Sequence, residues 1–360
     1  MNTIPIYKPF IGEEESSNVA SCMESSWISS RGAYIEKFEN QTKEFIGCKY
    51  ASTVSNGTVA LHLALLAAGI GPGDEVITTN FTYVASTNAI LMVGATPVFC
   101  EIDPLTWNIN AFKIEKNITN KTKAILITNV YGLPCEFDEL KRLSNQYNLC
   151  LIEDAAESFG ATYRNKKSGA LADISTFSFF GNKTITTGEG GMVLTHSEKF
   201  YNCVEQLKNQ GNSPSKRYYH EVLGYNYRMT NIQAAIGCAQ LSKMNQIQSL
   251  KQHVNDFYRS ELRDVVTFQK IEDHLSSSNW MISVLFKNED ERKRVETQLN
   301  QNKIETRPLF YPIDELPYYQ SNKECLIAKE IHKRGLTLPS FPSLKEMQLR
   351  HITNIIKKNV

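Results

Sequence analysis

The sequence has no long apolar run. Nowhere do about 18 hydrophobic residues follow one another, so no membrane-spanning helix is expected. It also lacks an excess of either charge, with 39 Lys and Arg against 38 Asp and Glu. That removes the electrostatic reason to expect nucleic acid or an anionic membrane as partner. The opening MNTIPIYKPFIGEEE has no basic stretch leading into an apolar segment, so no secretion signal and a cytoplasmic setting are expected. No two cysteines are spaced Cys-x-x-Cys. The eight (Cys22, Cys48, Cys100, Cys135, Cys150, Cys203, Cys238 and Cys325) are scattered, which excludes a zinc ribbon or a disulfide framework and reads as reduced, mostly buried thiols. The seven histidines lack metal spacing, and His220-Glu221 has no second histidine one helical turn on, so no metal is expected. Gly-x-Gly-x-x-Gly does not follow the first strand, which argues against a nicotinamide-dependent oxidoreductase. Internal repeats and low-complexity linkers are absent.

What is present is an alternation. From about residue 35 to 240, strand-like and helix-like stretches take turns, which predicts an α/β sheet with helices on both faces. ALHLALLAA (Ala60 to Ala68) is a helix stopped by Gly69 and Gly71. EVITT (Glu75 to Thr79) is a buried strand, Thr82 to Val93 a helix, and Thr96 to Ile102 a strand. Ala124 to Val130 is a strand and Glu136 to Tyr147 an amphipathic helix. Leu149 to Ile152 is a strand that delivers Glu153 and Asp154 at its C-terminal end, where ligands of open α/β sheets gather. After about residue 240 the pattern shifts to a long charged helix (Ile247 to Leu262), a strand (Trp280 to Phe286), a helix (Glu289 to Gln301) and a terminal helix. A chain of 360 residues exceeds a typical single core. We therefore expect a large domain over 1–245, with a mostly parallel mixed sheet, and a smaller α+β domain over 246–360.

Four features have a chemical reason to be where they are. Ser55-Asn56-Gly57-Thr58 precedes a helix, whose first N–H groups suit a phosphate; an ordinary N-cap by Ser55 or Asn56 accounts for them equally. Asp154, at a strand end, can hold a proton on a ring nitrogen or simply cap the next segment. Glu157, three residues on, is a capping-box partner or a second group at the same site. Lys183 lies in FSFFGNKTITTGEGGM (Phe177 to Met192), between a strand carrying Ser178 and a turn containing Gly188, Gly190 and Gly191. A lysine in a confined site forms an imine with an aldehyde when its pKa is lowered, yet most hairpin lysines face solvent. Tyr83, after the Glu75 strand, can cover a flat ligand or pack in a core. Taken together these are the parts that pyridoxal 5'-phosphate requires.

The same blocks resemble the sugar-nucleotide aminotransferases of the DegT/DnrJ/EryC1/StrS type. The likeness extends over nearly the whole chain: WISSRGAYIEKFE, SNGTVALHLAL, GPGDEVI, LIEDAAES, FSFFGNKTITTGEGGMV, LKNQG, GYNYRMTNIQAAIG and ETRPLFYP. It implies an aspartate-aminotransferase-like fold (fold type I) and pyridoxal phosphate as cofactor. It implies Lys183 as the imine-forming lysine, Asp154 at the pyridine nitrogen and Glu157 near the ring hydroxyl. Gly57, Thr58 and Ser178 would bind the phosphate and Tyr83 would stack on the ring. Asn226 would be donated to the phosphate of the other subunit, which implies a homodimer.

The implied reaction moves an amino group from glutamate to C4 of a nucleotide-linked 4-keto-6-deoxy sugar. GDP-4-keto-6-deoxymannose is the expected acceptor, with the dTDP- or UDP-linked glucose counterpart as the alternative. Trp27, Ser29, Arg31, Arg307 and Tyr311 fall in blocks that line the sugar site in such enzymes. Lys208 and Arg217, in KNQGNSPSKRYYH, are candidates for the diphosphate or members of a solvated basic loop. Asn129 stands where the family commonly shows histidine, and Asp314 where members acting on the expected sugar show it; the departures bear on the sugar and base, not on the cofactor chemistry. Lys183 argues against a dehydratase of the same fold, which carries histidine there. The lack of an added DNA-binding domain argues against a non-catalytic regulator.

Overall fold

The computed structural model describes residues 3–319 and 325–360. Two helices lead in, α1 (Glu13–Ser25) and α2 (Ala33–Ile46). Then come β1 (Tyr50–Val54), α3 (Gly57–Ala67), β2 (Glu75–Thr79), α4 (Ala85–Met92), β3 (Thr96–Cys100), β4 (Thr122–Thr128), α5 (Phe137–Tyr147) and β5 (Cys150–Asp154). The short strands β6 (Thr162–Tyr163) and β7 (Lys166–Lys167) precede β8 (Ile174–Ser178), β9 (Gly191–Thr195), α6 (Glu198–Lys208) and α7 (Asn231–Ser242). The remainder is α8 (Met244–Leu262), β10 (Thr267–Phe268), β11 (Leu275–Ser276), β12 (Ile282–Leu285), α9 (Glu289–Gln301), β13 (Arg307–Pro308), α10 (Leu326–Arg334), β14 (Gly335–Leu338) and α11 (Glu346–Asn359).

The large sheet has seven strands in the order β1-β9-β8-β5-β4-β2-β3. Only β9 runs against its neighbours, pairing antiparallel with β1 and β8. A sheet covered on both faces needs strands that are apolar on both sides, and β4 and β5 are: Ile125, Leu126, Ile127, Leu151 and Ile152 are all buried. The helix α3 is apolar all round for the same reason. It packs Leu61, Leu63, Ala64 and Leu65 into the core with Val193 and Val204. Its N-cap is Asn56, whose Oδ1 accepts from the Val59 N–H at 3.0 Å. It begins three residues before the predicted Ala60, because the cap and not the apolar run sets the start.

The second sheet, β10-β12-β14-β13, is antiparallel and shares a core with α8, α9 and α11. Helix α8 starts three residues before the predicted Ile247, so the expected split at 245/246 falls just inside it. Ile4 bridges to Ile304 and packs in this second core, so the N-terminal segment, expected with the large domain, also contributes here. The strand predicted from Trp280 starts at Ile282: the Trp280 carbonyl is taken by the Lys251 ammonium at 3.0 Å and does not join the ladder.

Candidate active site

The start of α3 and the segments following β2, β5 and β8 face one cavity of about 900 Å³, closed on its far side by Trp280 and by Arg307 to Tyr311. The expected parts converge on it: Gly57, Thr58, Tyr83, Asp154, Glu157, Ser178, Lys183, Arg307 and Tyr311 all line it.

At the α3 start, Asn56 satisfies only Val59, so the N–H groups of Gly57 and Thr58 have no partner within the helix and sit at its positive end. A Cβ on Gly57 would lie 2.7 Å from Ser178 Cβ, so the glycine is what lets the Ser178 hydroxyl end of β8 close on the helix start. Gly191, opening β9, passes closer still: its Cβ would lie 2.5 Å from the Asn56 carbonyl oxygen. Both contacts are to backbone or short side chains that cannot swing away. Gly191→Ala is expected to cost about 1–3 kcal/mol by overpacking, read as a lower thermal midpoint of the protein without cofactor; an unchanged midpoint would refute the close approach. Asn56, not Ser55, is the cap, and the capping reading and the phosphate reading are compatible because they use different N–H groups.

Asp154 is buried, with Oδ2 accepting from the Ser86 hydroxyl at 2.6 Å and Oδ1 from the Ala156 N–H at 3.1 Å. The second bond is a two-residue Asx turn, so Asp154 caps no helix. Burial raises its pKa, opposed by Ser86, by Ala156 and by the charge of Lys183. Ser86 is a residue the sequence did not flag. It lies 68 positions away on α4, and only the sheet order brings it over Asp154.

Lys183 is no surface hairpin residue. The main chain is pinned on both sides: its carbonyl accepts from the Tyr7 hydroxyl at 2.7 Å, and the neighbouring Asn182 carbonyl accepts from the Trp280 indole N–H at 2.7 Å. Its Nζ stands 3.9 Å from the Trp280 ring centroid. Burial lowers the ammonium pKa, and Glu157 and Asp154 partly restore it. Burial in turn pushes Glu157 up to about 7, with Lys183 opposing. Glu157 Oε2 accepts from the Tyr131 N–H at 2.7 Å, so it belongs to the site and is not a capping-box partner. Tyr7 and Trp280 gave no sign in the sequence: no element is predicted around Tyr7, and Trp280 only opens a predicted strand. Tyr83, which core packing would have buried, is 60% exposed on the cavity wall, its ring 6.5 Å from that of Phe310.

Other expected residues lie elsewhere. Lys208 is a correction. It is the buried last residue of α6 and no part of a solvated loop; its Nζ pairs with Glu205 at 2.6 Å and Glu39 at 3.7 Å and donates to Ser52 at 2.8 Å, so its charge is neutralised inside the fold. Arg217 is exposed on a loop, its guanidinium 5.0 Å from the Tyr218 ring centroid. Trp27, Ser29 and Arg31 join α1 to α2. Asn231 of α7 holds that link by donating to the Ser29 and Trp27 carbonyls at 2.7 Å each. Asn226 is exposed, and its Oδ1 accepts from Arg228 at 2.8 Å. None of Trp27, Ser29, Arg31, Arg217 and Asn226 lines the cavity of its own chain. Asn129 is fully buried behind the site, donating to Glu153, Ser158 and Ser168, and Asp314 accepts from Asn80 at 3.0 Å.

The arrangement fits pyridoxal phosphate: an anion-binding helix start beside a hydroxyl, an aromatic face left exposed in a cavity, a buried carboxylate, and an amine whose basicity is lowered. The sequence matches the model of the DegT/DnrJ/EryC1/StrS aminotransferase family over residues 9–357. It is 47% identical to a GDP-perosamine synthase of Escherichia coli O157:H7, over 99% of both chains. It is 44% identical to a GDP-perosamine synthase of Vibrio cholerae, over 98% of both. Among solved structures, Spr1654 from Streptococcus pneumoniae in its PLP form superposes with a TM-score of 0.92 at 26% identity, covering 99% of this chain and 100% of that one.

Proposed function

Since the chain belongs to the DegT/DnrJ/EryC1/StrS aminotransferase family, and is thereby a pyridoxal phosphate-dependent sugar aminotransferase, we propose that it converts GDP-4-keto-6-deoxymannose to GDP-perosamine with glutamate as amino donor. What carries the choice of sugar is the end-to-end likeness to two GDP-perosamine synthases at 44% and 47% identity. When bound, pyridoxal phosphate supplies an aldehyde that accepts an amine and a ring that takes up the electrons of a breaking C–H bond.

The chain's own residues do the rest. Gly57 and Thr58 N–H groups and the Ser178 hydroxyl hold the phosphate at the positive end of α3. Tyr83 covers one face of the ring. Asp154, oriented by Ser86, holds a proton on the ring nitrogen, and the charge gained there offsets the burial that otherwise raises its pKa. Lys183 would hold the cofactor through its aldehyde. Once freed by the amine of glutamate, its amine would take the proton from the donor carbon and return it to the cofactor carbon from the same face, as base and acid in turn. Burial lowers its pKa, which favours the neutral amine this work needs. Glu157 would be the partner of the ring hydroxyl. Release of 2-oxoglutarate before the keto sugar enters makes the cycle ping-pong.

Arg307 and Tyr311, exposed on the cavity wall, are the sugar-nucleotide contacts this chain supplies to its own site. Asn226, Arg217 and the Trp27 to Arg31 link are reserved for the neighbouring subunit's site in a homodimer. In support, Trp27, Tyr218 and Leu223 expose 57%, 83% and 84% of their surface. A cytoplasmic location is consistent with eight scattered cysteines that show no Cys-x-x-Cys spacing. The deciding experiment incubates the enzyme with glutamate and GDP-, dTDP- and UDP-linked 4-keto-6-deoxy sugars and identifies products by mass spectrometry. Amination of the GDP sugar is the expected result. Amination of only the dTDP or UDP compounds would overturn the sugar and leave the family intact.

A further inference from the structure

Lys251, in the middle of α8, is 1% exposed, and no carboxylate pairs with it among the described residues. An unpaired buried ammonium is costly, and burial lowers the pKa of this one to about 7. Its Nζ donates to the Trp280 carbonyl at 3.0 Å and the Ser340 carbonyl at 3.3 Å, and stands 5.4 Å from the centroid of the Tyr7 ring. Tyr7 and Trp280 are the two residues that pin the Asn182–Lys183 main chain, and Trp280 also covers the Lys183 amine. Three segments far apart in sequence (the N-terminal strand-like stretch, the entry to β12 and the exit from β14) therefore meet on one ammonium. An apolar residue would hold them by contact alone. A donor directed at two carbonyls also sets the orientation of what they carry.

We propose that Lys251 is a positioning residue for Lys183: by binding the Trp280 and Ser340 carbonyls under the Tyr7 ring, it fixes the two side chains that hold the Lys183 main chain and cover its amine. The proposal rests on the reading of Lys183 as the cofactor lysine.

The test uses full-length wild type, Lys251→Met and Lys251→Arg. Borohydride reduction of the pyridoxal phosphate-loaded protein, followed by peptide mass mapping, first shows which lysine is loaded. If wild type is labelled at another lysine, the premise and the proposal fall together. With Lys183 labelled, K251M is expected to form the visible absorbance band from apoenzyme and cofactor at least about 10-fold more slowly. The pH midpoint of that band should shift, and kcat should fall about 10- to 100-fold with KM for the keto sugar within about 2-fold, as expected of a misaimed group. K251R, which keeps donors and charge, should recover most of each. A lower thermal midpoint with band formation, band titration and kcat unchanged would make Lys251 a structural staple only and overturn the proposal. Should K251M not fold, Tyr7→Phe removes the hydroxyl on the Lys183 carbonyl; it must give the same slowed band and lowered kcat, and wild-type behaviour there overturns the proposal as well.

Discussion

Lys183→Ala is expected to lower transamination by at least roughly four orders of magnitude, because it removes the aldehyde-holding amine and the proton carrier together. The variant should retain the cofactor through the α3 start, Ser178 and Asp154, but without the visible band that wild type shows. Its fold should survive, since what pins the segment is the Lys183 and Asn182 carbonyls, held by Tyr7 and Trp280, and alanine keeps both. The cavity of about 900 Å³ leaves room for a small soluble amine in the space the side chain vacates. Added methylamine should therefore restore a measurable part of the rate. Full activity in K183A, or cofactor loading at another lysine, would remove Lys183 from its role.

The second large effect is Asp154→Asn. The amide keeps the shape: its oxygen can still accept from the Ala156 N–H and its NH2 can donate to the Ser86 hydroxyl oxygen, so folding and phosphate binding should change little. What it loses is the negative charge that keeps a proton on the ring nitrogen. Removing one preorganised electrostatic partner costs about 10²- to 10³-fold in kcat. We expect that loss in the single-turnover half-reaction with glutamate, with little change in KM, because the charge matters where electrons move into the ring and not where the donor docks. A kcat within about 3-fold of wild type would show that Asp154 has only a structural part.

Much of this was legible in the linear sequence because the residues that build the cofactor site each come with a local mark. Asp154 ends an apolar strand. Asn56-Gly57-Thr58 begins an apolar helix. Lys183 follows a strand and precedes the glycines that β9 needs to pass the helix start. Such marks depend on periodicity and turn chemistry, which are short-range. Lys208 shows where that kind of reasoning stops: beside basic and polar neighbours it looks like part of a loop, yet it ends a helix and is buried against Glu39 and Glu205. Those partners are fixed by how α6 packs on β1 and α3, which brings the Lys208 side chain to Glu39 of α2, and no local pattern records it.

The sequence by itself determined the α/β order, the family and the chemical parts: a carboxylate, a lysine, a phosphate-binding helix start and an aromatic. The tertiary structure alone decided which distant residues hold those parts in place. Ser86 reaches Asp154 across 68 positions, Tyr7 reaches Lys183 across 176, and Trp280 covers its amine from the segment leading into β12. The division has a physical cause. Backbone propensity and capping act over a few residues, whereas burial, which lowers the Lys183 pKa and raises those of Asp154 and Glu157, exists only once distant segments close over them.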